Sequence, residues 1–187
     1  MIEKYKVKAR KANYKDIELI KSWLKNSDFA TNLYYVPSHD DKALKEKVLS
    51  MLREGGHDLA SKRYFIIESE KLCRPIGMVM FHDIVWRNKN LAMDVLVGDD
   101  SLKNKIWGLI LSVEGIKIAF ETFNMHKIVG TIYSYNKNSD KLFKAFDGIV
   151  EGVYKDFVIK NGKRYDATVY AMFKRDHPAL LEKLKKY

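Results

Sequence analysis

The spacing of hydrophobic residues in the first part of the chain predicts one strand followed by two helices. Residues 5–11 alternate between apolar and basic positions, which is the two-residue period of a strand. Residues 13–24 and 40–52 instead repeat their apolar positions every three or four residues, as amphipathic helices do. Asn13 is a candidate N-cap for the first helix, and Gly55 and Gly56 end the second.

The middle and the end of the chain are dominated by predicted strands. Runs rich in β-branched and aromatic residues are separated by polar turns, which is the pattern of hairpins. One long helix is predicted at 106–123, a shorter one at 139–146, and a tail helix from Pro178. The predicted strands are 63–68, 76–86, 91–97, 127–134, 149–158 and 164–174.

These elements follow one another in the order β-α-α-β-β-β-α-β-α-β-β-α. The central β-α-β unit requires a crossover between parallel strands, whereas the hairpins on both sides of it are antiparallel. We therefore predict an α/β (α+β) fold with a mixed central sheet flanked by helices. The chain has three prolines and no linker-like segment. Residues 1–187 are accordingly predicted to form a single domain, which is an ordinary size for one hydrophobic core.

The composition narrows the class of protein further. Hydrophobic residues make up 47% of the chain and aromatic residues 12%, which is typical of a globular protein. No apolar run approaches the ~20 residues that span a bilayer, and the first residues do not resemble a secretory signal. Cys73 is the only cysteine, so no internal disulfide forms. A reducing compartment fits best, and we expect a cytoplasmic protein without membrane contact.

The formal net charge is +10. Lysines are spread along the whole chain, and no zinc-finger or RNA-binding signature accompanies them. This distribution favours a solvated basic surface over a nucleic-acid-binding one. A positive field would still attract a polyphosphate ligand or an acidic partner.

Residues 94–108 have the features of a phosphate site. A strand ends, a polar loop follows, and the long helix begins. The first turn of a helix directs unpaired backbone N–H groups and the positive end of its dipole at one point. Lys103 and Lys105 would add positive charge there. Every β-loop-α unit has such a helix start, so the pattern by itself is also typical of an ordinary turn.

Short motifs between the first strand and Lys174 add a family resemblance. They are Val7-Lys8-Ala9-Arg10 with Asp16-Ile17, Pro75-Ile76-Gly77, Met93-Asp94-Val95-Leu96-Val97-Gly98, Lys103-Asn104-Lys105-Ile106-Trp107-Gly108, Asn124-Met125-His126-Lys127-Ile128, Asn136-Lys137-Asn138-Ser139 and Glu151-Gly152. In this order and spacing they resemble the GNAT superfamily of N-acyltransferases, in particular its RimJ/RimL-like branch of ribosomal-protein N-acetyltransferases.

The resemblance implies acetyl-CoA as the acyl donor and a mostly antiparallel sheet whose fourth and fifth strands splay apart. The backbone of the fourth strand would bind the pantetheine, and the loop and helix start after it would bind the diphosphate. No metal is implied, and no metal-ligand spacing occurs in the sequence. The implied cofactor-binding residues are Val95, Leu96, Val97, Lys103, Asn104, Lys105, Ile106, Trp107, Gly108, Asn136 and Ser139.

Catalysis on an amine needs a base, because the amine arrives protonated with a pKa near ~10. Asp94 is the first candidate, since carboxylates are disfavoured in strands, although a simple hydrogen-bonded aspartate explains it equally well. His82, followed by Asp83, is the reserve base, with a structural histidine as the alternative. Tyr133 and Tyr135 are candidate acids for the departing thiolate, with aromatic packing as the alternative.

The acceptor stays open at this point. Trp23, Tyr34 and Tyr35 lie in segments that form the acceptor wall in GNAT-like proteins, and Asp83 is a further candidate contact. The acceptor would be a primary amine of a protein N-terminus, a polyamine, an aminoglycoside or an amino sugar, attacked directly in a ternary complex. A homodimer is one option for the assembly.

Two departures from the family pattern bear on activity. The phosphate loop of the family has the form Arg/Gln-x-x-Gly-x-Gly/Ala, and this chain has Lys103, Ile106 and Gly108 in those places. We expect weaker cofactor binding or a loop of modified shape, because a β-branched residue disfavours positive φ. Phe143 stands where many relatives have a proton-donating tyrosine. The alternative function is therefore a GNAT-fold binding or regulatory protein that has lost catalysis.

Overall fold

The computed structural model describes residues 5–25, 40–56, 59–98, 100–102 and 106–185. Within them lie seven strands and five α-helices, joined in places by short 3-10 turns. The strands are β1 (Val7–Lys11), β2 (Arg63–Ser69), β3 (Arg74–Val85), β4 (Asn90–Val97), β5 (Lys127–Tyr133), β6 (Ile149–Lys160) and β7 (Lys163–Phe173). The helices are α1 (Ile17–Leu24), α2 (Asp41–Glu54), α3 (Trp107–Lys117), α4 (Lys137–Ala145) and α5 (His177–Lys185).

All seven strands form one sheet, in the spatial order β1-β2-β3-β4-β5-β7-β6. The β4–β5 pair is parallel, and the other neighbouring pairs are antiparallel. The parallel pair is the one that the chain connects through α3, as the crossover rule requires. The prediction of a mixed, mostly antiparallel sheet flanked by helices is confirmed.

Helices cover the two faces of the sheet. On one face, which we call the α1/α2 face, apolar side chains of α1 and α2 pack on Met78, Met80 and Leu96. On the other, the α3 face, the larger core joins α3 and α4 to residues such as Val79 and Met93. Side chains alternate between faces along a strand, so each position of β3, β4 and β5 can be assigned to one of them.

The element order predicted from hydrophobic spacing is the order observed. The predicted helix at 106–123 differs in its second half, because α3 continues into a π-helix at Ile118–Thr122. The strand predicted at 149–158 runs on to Lys160, and the tail helix begins at His177 rather than Pro178. None of the described helices is long and apolar enough to cross a membrane.

Candidate functional site

The candidate site begins where the two parallel strands separate. β4 and β5 pair at three positions, Asn90 with Lys127, Leu91 with Ile128 and Ala92 with Val129. Beyond them, residues 93–97 of β4 remain paired with β3, and residues 130–133 of β5 remain paired with β7. Between these two segments no ladder is described, and we call the opening the strand gap. Along the described residues, backbone groups that face the strand gap have no partner on the opposite strand, and buried groups of this kind require a partner.

The first turn of α3 lies at the open end of the strand gap, on the α3 face. A Cβ added to Gly108 would meet the side chain of Val97 at 3.9 Å, so the helix start is next to the last residue of β4. Ile106 occupies the N-cap position, where its hydrocarbon side chain cannot accept hydrogen bonds from the first turn. An anion that binds at this helix start would therefore have to be held by its backbone N–H groups.

Ile106 itself does not distort the helix start. Its φ is −61° and its ψ is −11°, which is ordinary helical backbone that needs no glycine. Its side chain packs against the hydrophobic core, as do those of Val95 and Val97. Trp107 is also buried and stands edge-on to Tyr5, with ring centroids 5.2 Å apart. Because its side chain is buried, Trp107 could contact a ligand at this helix start only through its backbone.

A second helix start follows β5. Asn136 caps α4, its Oδ1 accepting a hydrogen bond from the backbone N–H of Ser139 at 3.2 Å. The backbone N–H of Asn136 donates to the carbonyl of Tyr133, which ties the helix start to the last residue of β5. Both predicted cofactor contacts on α4 are thus at the end of the strand gap. Leu96, by contrast, is 1% exposed and packs with α1 and α2, so only its backbone can reach a ligand.

Phe143 lies on the α3 face of the strand gap. Its ring covers Gly130, the first residue of β5 beyond the paired stretch, and a Cβ on Gly130 would come 2.1 Å from the ring tip. The ring also stacks on Tyr170, with centroids 5.4 Å apart. The hydroxyl of Tyr170 donates to Asp140 Oδ1 at 2.7 Å. The phenol that stacks on Phe143 is therefore already engaged with a carboxylate of α4.

The candidate base lies on the opposite face of the same opening. Asp94 is opposite Met80, which places it on the α1/α2 face, two residues beyond the last β4–β5 pair. His82 Nε2 is 3.1 Å from Asp94 Oδ2, and His82 Nδ1 is 2.9 Å from Asp83 Oδ2. From the sequence, Asp94 was the first candidate base, and His82, followed by Asp83, was the reserve base. The structure brings them together.

The two carboxylates change the chemistry of the histidine. The hydrogen bond to Asp94, above all, raises the pKa of His82 to about 9, against an opposing effect of partial burial. His82 is therefore protonated at neutral pH and cannot accept a proton there. Asp83 has a φ of 49° within a register shift of β3, a bulge that turns its carboxylate back toward the ring. This excludes His82 as a base at neutral pH and leaves Asp94 as the candidate.

The predicted aromatic residues have different environments. Trp23 is 6% exposed and packs on Gly98 at the end of β4, where a Cβ would stand 2.1 Å from Trp23 Cε2. It is thus a core residue beneath the site rather than an exposed wall. Tyr133 is buried at the end of β5, and its ring is 5.4 Å from that of half-buried Tyr135. The predicted contacts Tyr34, Tyr35, Lys103, Asn104 and Lys105 lie outside the described residues.

Residues that sequence reasoning did not single out also adjoin the site. Gly130, Asp140 and Tyr170 surround Phe143, and Lys160 contacts Tyr135. The glycine in a strand interior was a signal that something packs closely on it. The other contacts depend on strand register, which the sequence does not show. Within the described ranges, no group of three or more His, Cys, Asp or Glu side chains is arranged to hold a metal ion.

A mixed sheet with one parallel pair that opens between two helix starts is the GNAT-like fold, as the sequence predicted. Two solved structures from Vibrio cholerae share it. A spermidine N-acetyltransferase in complex with CoA and spermine matches with a TM-score of 0.81 and 16% identity, over 92% of this chain and 98% of that chain. A spermidine/spermine N-acetyltransferase in complex with manganese ions matches with a TM-score of 0.75 and 17% identity, over 96% and 98%.

At these identities the likeness establishes the fold. No protein-family model matches the sequence, and no curated protein is similar to it in sequence. The function therefore has to be argued from the site.

Proposed function

We propose that this protein is an acyl-CoA-dependent N-acetyltransferase that passes an acetyl group to a primary amine by direct attack in a ternary complex. The observation that carries the proposal is the strand gap, which joins two helix starts on one face to a carboxylate on the other. An extended thiol arm and a diphosphate need such a combination of unpaired strand backbone and helix N-termini.

The residues around the strand gap fit coenzyme A. The first turn of α3, from Ile106 to Gly108, offers backbone donors for a diphosphate, and Lys103, Asn104 and Lys105 precede it in the sequence. Val95 and Val97 give the arm an apolar wall with backbone donors and acceptors. Asn136 and Ser139 flank it from α4. The thioester supplies an activated acyl group, and the polypeptide binds and orients both reactants.

Asp94 is proposed as the group that receives the proton of the attacking amine. It lies on the α1/α2 face at the start of the strand gap, and its side chain is 40% exposed. The protonated ring of His82 holds one carboxylate oxygen, which fixes the orientation of the group. Asp83 accepts the hydrogen bond of the second ring nitrogen. The formal charges of the two carboxylates and one imidazolium then leave one net negative charge, which favours a cationic amine.

The proton donor for the departing thiolate is not Phe143, because a phenyl ring has no acidic hydrogen. We propose that Tyr133 or Tyr135, at the end of β5 beside the strand gap, or water takes this role. Tyr170 is the least suitable phenol of the region. Burial and its bond to Asp140 raise its pKa.

A small polyamine is the favoured acceptor class. The similar structures are spermidine and spermidine/spermine N-acetyltransferases, one of them bound to spermine. The RimJ/RimL-like motifs, which favour a protein N-terminus, rest on the sequence alone, and aminoglycosides or amino sugars have no supporting observation in the structure. A single cytoplasmic domain and a homodimer remain predictions that accompany this proposal.

Calorimetry with acetyl-CoA and CoA tests the cofactor site. We expect micromolar binding to the wild-type protein and at least about tenfold weaker binding to Gly108→Val, because the added side chain narrows the space beside Val97. Gly152→Val is the matched control, since a Cβ there has nothing within 4 Å. Absence of binding at high micromolar acetyl-CoA would overturn the proposal. A screen of amines for free-thiol release then identifies the acceptor.

A second candidate is a GNAT-fold binding protein without catalysis, which Phe143 favours because it removes the usual acid of the family. The two candidates separate in one experiment. Acetyl-CoA binding without thiol release for any amine, including spermidine and spermine, would favour the binding protein.

A further inference from the structure

Three tyrosines form a cluster at the end of β5. The β6–β7 hairpin extends past this end, since β7 pairs with β5 up to Ala167 and continues to Lys163 without it. The ring of Tyr135 lies against this extension, 5.1 Å from the ring of Tyr165 and nearly perpendicular to it. On its other side it is 5.4 Å from Tyr133. We call these three residues the tyrosine cluster.

The ammonium group of Lys160 lies over the face of the Tyr135 ring. Lys160 Nζ stands 4.2 Å from the ring centroid, which is a cation–π contact. Lys160 is the last residue of β6, is half-buried, and has Lys163 as its cross-strand partner. Among the described residues, no carboxylate pairs with Lys160. The described partner of this ammonium is therefore an aromatic face and not an acid, and such a face attracts alkylammonium ions in general.

We infer that the Tyr135 ring is a binding site for an ammonium group of the acceptor, and that Lys160 fills this site when the acceptor is absent. The inference rests on the proposed function for its location, because Tyr135 follows the strand that borders the strand gap. The reacting amine belongs near Asp94. An ammonium on Tyr135 is then a second cationic centre of the same acceptor, which selects di- and polyamines over monoamines. With Tyr135 assigned to binding, Tyr133 or water is left as the proton donor for the thiolate.

Lys160 must leave the ring for this to happen. Two ammonium groups on one ring face would repel each other, so the acceptor competes with Lys160 Nζ. The long lysine side chain at the end of a hairpin can turn into solvent at small cost. Lys160 thus lowers the affinity of the Tyr135 ring for every cationic ligand.

Choline and its uncharged isostere 3,3-dimethylbutan-1-ol are the probes, followed by amide and tyrosine-ring NMR shifts in the absence of coenzyme A. We expect choline to bind with shifts at Tyr135 and Tyr165 and the isostere to bind more weakly. Lys160→Met should raise the choline affinity by about two- to fivefold, which corresponds to one exposed cation–π contact. Lys163→Met removes the same charge from the same hairpin end without touching the ring, and should change affinity less.

The ring itself is tested by two substitutions. Tyr135→Phe keeps an aromatic face and should keep the preference for choline, whereas Tyr135→Leu should abolish it. Equal binding of choline and the isostere, no binding of either, or equal effects of Lys160→Met and Lys163→Met would overturn the inference. The lysine variants decide the matter even if Tyr135→Leu fails to fold. Since no coenzyme is present, failure here leaves the acetyltransferase proposal intact, and failure of acetyl-CoA binding leaves the cation site intact.

Discussion

His82 Nε2 lies 3.1 Å from Asp94 Oδ2, joining the bulged end of β3 to the point where β4 leaves β5. With Asp83 on its other nitrogen, the imidazole is held between two carboxylates. This geometry favours the protonated form of His82 at neutral pH and makes the residue a positioning residue for the proposed base. It also makes the titration of His82 a direct measure of the contact.

We predict that Asp94→Asn lowers the pKa of His82 from about 9 toward its ordinary value of 6.5. The hydrogen bond to Asp94 is the largest cause of the elevation, so Asp83→Asn should lower the pKa less. The imidazole Hε1 resonance of His82, followed by NMR from about pH 5 to about pH 10, reports this pKa because the range includes both values. A larger effect of Asp83→Asn would contradict the geometry.

The same pKa predicts a pH-dependent stability. A pKa that is raised in the folded state stabilises the protein fully below pH 6.5, and this stabilisation is lost as the pH rises through about 9. Thermal unfolding measured from about pH 6 to about pH 10 should therefore show a declining unfolding temperature. His82→Gln should make this decline smaller. The contribution is modest, because the ring is partly exposed and solvent screens it.

Turnover tests the role of Asp94. We expect Asp94→Asn to lower kcat by about 100-fold or more, as loss of a general base does, and to leave acetyl-CoA affinity nearly unchanged. Glu46→Gln, on the exposed side of α2, is the matched control for loss of one negative charge. Rates measured with a primary amine at several pH values decide the question. Unchanged turnover in the Asp94 variant would remove this residue from the mechanism.

The contact between Gly98 and Trp23 predicts a strong effect of a single methyl group. In Gly98→Ala the new Cβ would stand 2.1 Å from Trp23 Cε2, so α1 or the end of β4 has to shift. We expect a loss of about 1–3 kcal/mol in the free energy of unfolding, the usual cost of overpacking. Gly152→Ala adds the same methyl group in open space. Chemical denaturation of both variants provides the comparison, and equal stabilities would show that Trp23 is not fixed there.

Asp16 anchors the first strand to the first helix. Its carboxylate accepts two hydrogen bonds from Arg10 and one from the backbone of Asn13, and its side chain is 6% exposed. These bonds lower its pKa. Asp16→Asn should cost about 2 kcal/mol in unfolding free energy, since the charge-assisted hydrogen bonds between Arg10 and this buried carboxylate are lost. Glu68→Gln, which removes the half-exposed partner of Arg10, should cost less than about 1 kcal/mol.

Hydrophobic spacing predicted the elements of this fold because each one depends on local residues. Every strand and helix of the described chain was anticipated in order, and the separation of β4 from β5 came from the family resemblance. Asp94 was found for a physical reason, since a carboxylate within an apolar strand is costly without a partner. The partner was not found, because His82 and Asp94 meet only through the register of two strands.

Other parts of the site were hidden for similar reasons. From the sequence, Trp23 in an amphipathic helix could equally line a ligand site or belong to the core. Its close approach to Gly98 shows that it belongs to the core. Ile106 was predicted to weaken cofactor binding or to change the shape of the loop, because a glycine is usual there. Its own φ of −61° suits any residue, and the loop residues 103–105 lie outside the described residues. The contact of Lys160 with Tyr135 joins the hairpin turn to the end of β5, and no local pattern encodes it.

The three residue pairs between β4 and β5 have a mechanical consequence. They are the hydrogen-bonded link between a four-stranded half, β1 to β4, and a three-stranded half, β5 to β7. A thiol arm of coenzyme A in the strand gap would extend this link, because it would form hydrogen bonds with β4 on one side and with β5 on the other. Coenzyme binding should therefore slow amide exchange in residues 93–97 and 130–133 together, because the two halves of the sheet would then be bridged along their whole common edge.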